Sequence, residues 1–171
     1  MKKIIPALII LSFICKACKK ESVDPRYDSL GTISAKIDGN TKTFNTSAKS
    51  IQVSTRNPYE LRIEGYEQPG SLTNIVIRIV SPNPIVPGTY SNDLDPAMHV
   101  QIIYYEGPLL YGTDHDSWEQ VGFLRRTGSV TINEISNSSV KGTFSATLFY
   151  STFTGTDLTN TLLNGIFNVS F

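Results

Sequence analysis

The stretch "GTISAKIDGNTKTF", Gly31 to Phe44, decides the fold of this chain. In its first seven residues the apolar Ile33, Ala35 and Ile37 alternate with polar residues, which is the period of a β-strand with one buried face. Asp38-Gly39-Asn40 then supplies the positive-φ residues of a tight hairpin turn, and "TKTF" returns as a second strand. The stretch therefore predicts a β-hairpin at the start of the folded domain.

The same period of two continues to the end of the chain, and no amphipathic helix of usable length interrupts it. The segment "NIVIRIV", Asn74 to Val80, is β-branched on both faces and is predicted to be central in its sheet. Further strands are predicted at 51–53, 59–63, 99–106, 129–135, 140–150 and 163–171. Short strands separated by Gly, Pro and Asn predict an all-β fold over residues 31–171, a single antiparallel β-sandwich, with a closed meander β-barrel as the alternative. The alternation assigns these side chains to the core: Ile37, Ile63, Ile77, Phe144, Leu148 and Phe167.

The first residues of the chain have the pattern of an export signal. Lys2 and Lys3 form a basic start, and an apolar run follows from Ile4 to Ile14. A membrane span needs ~20 apolar residues, and this run has roughly half that number. The pattern predicts a signal peptide over residues 1–17.

Both cysteines of the chain, Cys15 and Cys18, lie at the end of this run. Ala17 is small enough for a signal peptidase pocket, whereas Ile14 before Cys15 is bulky. The stretch resembles the lipobox of bacterial lipoproteins, which implies that Cys18 becomes the lipidated first residue of the mature chain. A Cys-x-x-Cys redox motif would need a βαβ context and a zinc site a second pair of ligands, and neither is present. Residues 18–30 are then a polar tether.

The charge balance indicates which partners to expect. The chain has 15 basic and 15 acidic residues, and subtracting Lys2, Lys3 and Lys16 with the signal leaves 12 against 15, a net charge of −3. Nucleic acid is not expected as a partner because it requires a basic stripe. Membrane contact is predicted through the lipid alone, and the domain is predicted to be monomeric. Lys19 follows the cysteine where retained inner-membrane lipoproteins typically carry aspartate, which favours the outer membrane, in either leaflet.

Four segments occur in an order that carries a family resemblance: "AKIDGNTKTF", "TGSVTI", "VKGTFSATL" and "NGIFNVSF". They resemble an uncharacterised domain family of Bacteroidetes-type lipoproteins. The resemblance implies the fold and the envelope location. It implies no activity and no site residues, because the family has none assigned.

The segment "TDHDSW", Thr113 to Trp118, is the strongest candidate for metal or acid–base chemistry. In an extended segment Asp114 and Asp116 point the same way and His115 points away, so the two aspartates are weak metal candidates. A solvated loop tip is the favoured interpretation. The sequence also has no Gly-x-Ser-x-Gly nucleophile motif. No catalytic residue, metal or cofactor is predicted.

Aromatic residues surround the segment 109–118, which is predicted to be a long loop. Tyr105, Tyr111 and Trp118 are the candidate ligand-binding residues, because exposed aromatic rings stack on sugars or anchor protein partners. Tyr104 and Tyr105 are adjacent and face opposite sides of a strand, so one of them is expected in the core.

The predicted function is that of a lipid-anchored cell-envelope protein, a non-enzymatic binding module for a glycan, peptide or protein partner. Two alternatives stay open: an envelope hydrolase whose site forms only in three dimensions, and a structural accessory subunit of an envelope complex. A cleft with convergent acids would indicate the hydrolase, and a broad apolar patch without polar groups would indicate the accessory subunit.

Overall fold

A computed structural model describes the chain over residues 31–54, 56–91, 98–113, 128–150 and 159–171. The regular elements in these ranges are all strands. In chain order they are β1 (Gly31–Ile37), β2 (Asn40–Thr43), β3 (Thr46–Ser54), β4 (Tyr59–Tyr66), β5 (Asn74–Ser81), β6 (Gly88–Ser91), β7 (His99–Glu106), β8 (Leu109–Gly112), β9 (Gly128–Ile135), β10 (Ser139–Tyr150) and β11 (Thr159–Ser170). No helix of a length and apolar character suited to crossing a membrane occurs in these ranges.

The strands pack as two antiparallel layers, which confirms the predicted sandwich. The first sheet has the order β2-β1-β11-β10-β9-β6, and the second has the order β3-β4-β5-β7-β8. The two are joined at one corner, where β8 pairs with the end of β10. Across the described ranges the terminal strands β2 and β3 do not pair with each other, so the sheet does not close into the alternative barrel. The strand β5 lies between β4 and β7, as its two apolar faces predict.

The longest ladder joins β10 to β11 and organises the first sheet. It runs without a register shift from the pair Ser139–Ser170 to the pair Tyr150–Thr159. On its other side β10 is long enough to pair first with β9 and then with β8. Because β10 pairs with β9 in the first sheet and with β8 in the second, it connects the two layers.

Two-residue turns set the register of the hairpins. Asp38 and Gly39 have φ angles of 47° and 87° between the paired residues Ile37 and Asn40, which confirms the turn predicted there. Positive φ at both central residues is the type I′ pattern, whose twist matches that of the flanking strands.

A second tight turn corrects the prediction of a loop over residues 109–118. Gly107 has a φ of 60° and Pro108 follows it, so that Glu106 pairs with Leu109 and β8 forms. Because proline fixes φ near −65°, the pair Gly-Pro suits a type II′ hairpin as well as a loop. The loop prediction is therefore wrong for residues 109–112. The four-residue strand β6 was likewise not predicted, since it follows a segment with three prolines.

The core lies between the two sheets and is built from the inward side of each alternation. All six side chains assigned to it from the sequence are buried, which confirms that prediction; they are Ile37, Ile63, Ile77, Phe144, Leu148 and Phe167. The second sheet contributes a layer of fully buried isoleucines, including Ile75, Ile77 and Ile79 on β5. With one side of each sheet committed to the core, the two outer faces and the open strand edges are left to contact ligands.

Candidate functional site

Several residues singled out from the sequence lie outside the described ranges. These are Cys18, Asp114, His115, Asp116 and Trp118. The lipid site, the weak metal candidates and the tryptophan therefore stay predictions. Tyr105 and Tyr111 lie within the described ranges, on β7 and β8.

The structure places Tyr105 and Tyr111 on opposite faces of the second sheet. Tyr111 is directly opposite Tyr104, and directly paired residues share a face. Tyr104 is only 1% exposed, and its ring stacks on that of Tyr111 with centroids 5.8 Å apart. Tyr111 therefore packs against the core, whereas Tyr105 faces outward beside Leu110. The two predicted ligand-binding tyrosines do not form one surface.

Tyr105 belongs to an outer row that crosses four strands of the second sheet. The row contains Tyr66, Asn74, Tyr105 and Leu110. Asn74 stands between the two tyrosines, and its side-chain oxygen is buried without a hydrogen-bond donor. Tyr66 and Asn74 were missed in the sequence because they begin or end their strands, where alternation is hardest to read.

An ionic bridge ties the two sheets together at the edge formed by β2. Lys42 on β2 lies over the Tyr104 ring and donates hydrogen bonds to the Tyr104 hydroxyl at 2.7 Å and to Glu106 at 2.8 Å. Burial alone would lower the pKa of Lys42, but the bonds to Glu106 and Tyr104 outweigh it and raise the pKa above its ordinary 10.5. The same bond from Lys42 lowers the pKa of Glu106, while burial raises that of Tyr104.

These shifts fix the charge state of the bridge at neutral pH. Lys42 is a cation, Glu106 is an anion and Tyr104 is a neutral phenol. The pKa of each of these groups lies further from 7 than the ordinary value for that group. A general acid or base works best with a pKa close to the operating pH. The bridge is therefore suited to holding the sheets together rather than to moving protons.

The outer face of the second sheet is strongly charged near β4. Arg78 binds both carboxylate oxygens of Glu60, at 2.6 and 3.1 Å, and this hydrogen bonding lowers the pKa of Glu60. Lys49 and Arg62 both contact the carboxylate of Glu64, at 3.2 and 2.8 Å. Such mixed charge is the usual covering of a soluble domain.

The outer face of the first sheet has a different composition. Its register brings hydroxyl and amide side chains of successive strands into rows that run across the sheet. One row contains Thr89, Thr131, Thr143, Ile166 and Ser34. The neighbouring row contains Ser91, Ser129, Ser145, Asn164 and, at its end, Lys36. We call these two rows the Ile166 face.

Ile166 is the exception in this polar surface. It stands between Thr143 and Ser34, and 61% of its surface is exposed. Phe167, the next residue of the strand, faces the core, so the alternation along β11 directs Ile166 outward. The alternation in "LNGIFNVSF" already places Ile166 on the outer side, and this apolar residue at a polar position was the signal that sequence analysis missed.

A shallow depression of about 410 Å³ lies beside Ile166. It is lined only by uncharged residues, which are Ser129, Thr131, Thr143, Phe144, Ser145, Asn164, Gly165 and Ile166. Serine and threonine hydroxyls both donate and accept hydrogen bonds, and the asparagine amide does both as well. The lining of this depression thus combines bidirectional hydrogen bonding with the exposed apolar side chain of Ile166, and it carries no charge.

No grouping of three His, Cys, Asp or Glu side chains suited to a metal ion occurs in the described part of the chain.

Comparison with known proteins adds no assignment: no family model, curated protein or solved structure matches the chain. The resemblance to an uncharacterised lipoprotein family accordingly stays a prediction.

Proposed function

We propose that this protein is a non-enzymatic binding module of the cell envelope, anchored in the outer membrane by a lipid on Cys18, which binds a neutral glycan on the Ile166 face. The single observation that carries the ligand class is the depression beside Ile166, whose eight lining residues are all uncharged.

The chemistry of this surface matches that of a sugar ring. A neutral sugar carries hydroxyl groups, which both donate and accept hydrogen bonds, and it has apolar C–H patches on the faces of its ring. Thr143, Ser145 and Asn164 supply matching donors and acceptors in two adjacent strands. Ile166 supplies an exposed apolar contact between them.

The absence of charge from this lining also favours a neutral ligand. A neutral hydroxyl is less costly to bring out of water than an ionised side chain, which must be paired when it is buried. Lys141, the lysine of β10, is paired at 2.7 Å with Glu134. Lys36 lies opposite Asn164 at the end of the face but is not among the residues that line the depression. An anionic glycan would find no cation among the lining residues.

A glycan array probed with the purified full chain tests the proposal. We expect at least one neutral oligosaccharide to bind, and we expect Ile166→Ser to weaken that binding about tenfold, the effect of losing ~1.4 kcal/mol. The matched control is Leu72→Ser, which removes a similarly exposed apolar side chain, 68% exposed, from the turn between β4 and β5. It should leave binding unchanged.

The same array distinguishes the Ile166 face from the outer row of the second sheet that contains Tyr105. Loss of binding in Tyr105→Ala with full binding in Ile166→Ser would move the glycan site to the row containing Tyr66, Asn74 and Tyr105. Absence of any glycan ligand from a broad neutral panel would contradict the proposed ligand class.

A further inference from the structure

A second depression, of about 510 Å³, follows the outer edge of β3. One wall consists of the four consecutive residues Lys49, Ser50, Ile51 and Gln52, and the other of Ser136, Asn137 and Phe171. Consecutive strand residues point to opposite faces. A groove that touches all four must therefore run along the strand edge, where their backbone N–H and C=O groups lie.

This edge is open within the described ranges, where β3 pairs with β4 alone. The register is regular from Lys49 to Gln52 and shifts on both sides of that stretch. With nine residues, β3 is also longer than β2 and β6, the four-residue strands at the other edges. The regular stretch of an open strand edge is a template for an added strand.

Both walls of the groove are held in place by hydrogen bonds. The Ser50 hydroxyl donates to the Ser170 carbonyl at 3.0 Å, which fixes the distance between β3 and the end of β11. The Phe171 N–H donates to the Ser138 carbonyl at 3.1 Å, so the terminal residue is tied to the β9–β10 turn. The groove is therefore formed before any ligand arrives.

The groove has two exposed apolar side chains on its walls and charged side chains beside them. Ile51 and Phe171 are 39% and 36% exposed, on opposite walls. Lys49, two residues from Ile51 on the same strand face, shares the carboxylate of Glu64 with Arg62. Arg78 binds Glu60, so the three cations Lys49, Arg62 and Arg78 share the two carboxylates Glu60 and Glu64 on the outer side of β3 and its neighbouring strands.

We propose that the β3 edge binds an extended segment of a partner protein as an added antiparallel strand. The segment carries an apolar residue opposite Ile51 and an acidic residue two positions away, opposite Lys49. Directly opposed residues on one face lie close enough to interact, and the repeat of two positions along a strand preserves the face. This site is independent of the glycan proposed for the Ile166 face.

The test uses the full chain and short blocked peptides in isothermal titration. The probe is Thr-Val-Asp-Val-Leu-Val-Thr, in which Asp and Leu are two positions apart, and the matched control replaces Asp by Lys. We expect the Asp peptide to bind at least tenfold more tightly than the Lys peptide. Two further probes carry N-methyl groups on alternate residues, on the odd or on the even positions. One of them should lose binding and the other should retain it, because only alternate amides face β3.

Variants of the chain assign the contacts. Ile51→Ser should weaken binding of the Asp peptide about tenfold, and Lys49→Glu should reverse the preference in favour of the Lys peptide. Ile166→Ser should have no effect, which separates this site from the glycan site.

Four results would overturn the proposal. The first is equal affinity for the Asp and Lys peptides, or no binding of either. The second is binding that neither N-methylated probe loses. The third is a chain that sediments as a dimer and becomes monomeric in Ile51→Lys, because a second copy would then cover the edge. The fourth is competition between the probe and a peptide of residues 19–30, because the chain's own N-terminal segment would then occupy the groove.

Discussion

The ring of Phe144 covers Gly165, the residue directly opposite it on β11. The relation is reciprocal, since Phe167 on β11 covers Gly142 on β10, and the two rings stack with centroids 6.4 Å apart. Each glycine provides the space that the opposing ring fills, so the rings of Phe144 and Phe167 pack closely against the longest ladder of the fold.

Substitution of Gly165 by Ala should therefore destabilise the domain. A Cβ at this position would meet the Phe144 ring and would come within 2.5 Å of the Ser34 carbonyl oxygen, which is backbone and cannot rotate away. Overpacking of this kind costs ~1–3 kcal/mol, and thermal unfolding should show a lower Tm. The control Ser145→Ala, an outward residue of β10, should change the free energy of unfolding by less than ~0.5 kcal/mol. Equal Tm values for the two variants would contradict this packing.

Tyr105 and Tyr111, the two predicted ligand-binding tyrosines of the described ranges, should differ in their effect on stability. Tyr111→Ala removes a ring that stacks on buried Tyr104, and we expect a loss of ~2–3 kcal/mol in urea unfolding. Tyr105→Ala removes an outward ring and should cost ~1 kcal/mol or less, the scale of a cross-strand pair. A larger loss for Tyr105 than for Tyr111 would show that the faces are assigned wrongly.

Removal of the cation in the inter-sheet bridge should loosen the β2 edge. Lys42→Met leaves the Tyr104 hydroxyl and Glu106 without this donor, and we expect a loss of ~1–2 kcal/mol. The matched control is Lys141→Met, which breaks the exposed pair with Glu134 and should cost less than ~1 kcal/mol. Chemical denaturation of both variants at pH 7 measures the difference, and a larger effect at Lys141 would count against the bridge.

The domain should lose stability in acid through two paired glutamates. Hydrogen bonds from Arg78 and Lys42 lower the folded-state pKa of Glu60 and Glu106 below the ordinary 4.5. A depressed carboxyl pKa stabilises the folded state above the unfolded pKa, and this stability is lost as the pH falls through the folded one. Stability should therefore be constant from pH 7 to about pH 5 and fall below about pH 4.5. In the double variant Glu60→Gln, Glu106→Gln the fall should be shallower, and an unchanged slope would refute the assignment.

The lipid prediction concerns residues outside the described ranges. Cys18→Ser should abolish labelling of the protein by a fatty acid analogue in cells, and Cys15→Ser should leave labelling intact. Two or three acyl chains, each CH₂ contributing ~0.8 kcal/mol when buried, would anchor the protein where a single chain would not. Labelling that is lost with Cys15 instead would reassign the modified residue.

The sequence by itself determined the class of fold and part of the core. In a sheet with one buried side, a period of two tells which side chains face inward, and no knowledge of neighbouring strands is needed. For this reason Ile37, Ile63 and Phe167 could be assigned to the core from their own strands. The turn at Asp38 and Gly39 was equally local, because positive φ is a property of the two residues themselves.

The tertiary structure decided which strands are neighbours, and with them the candidate sites. The Ile166 face exists because β1, β6, β9, β10 and β11 align their outward residues, and the groove exists because Phe171 lies beside β3. Lys42 and Tyr104 are 62 positions apart in the chain and meet at 2.7 Å. Alternation shows which way a side chain points but carries no information about what stands opposite it, because strand pairing is set by the packing of the whole core.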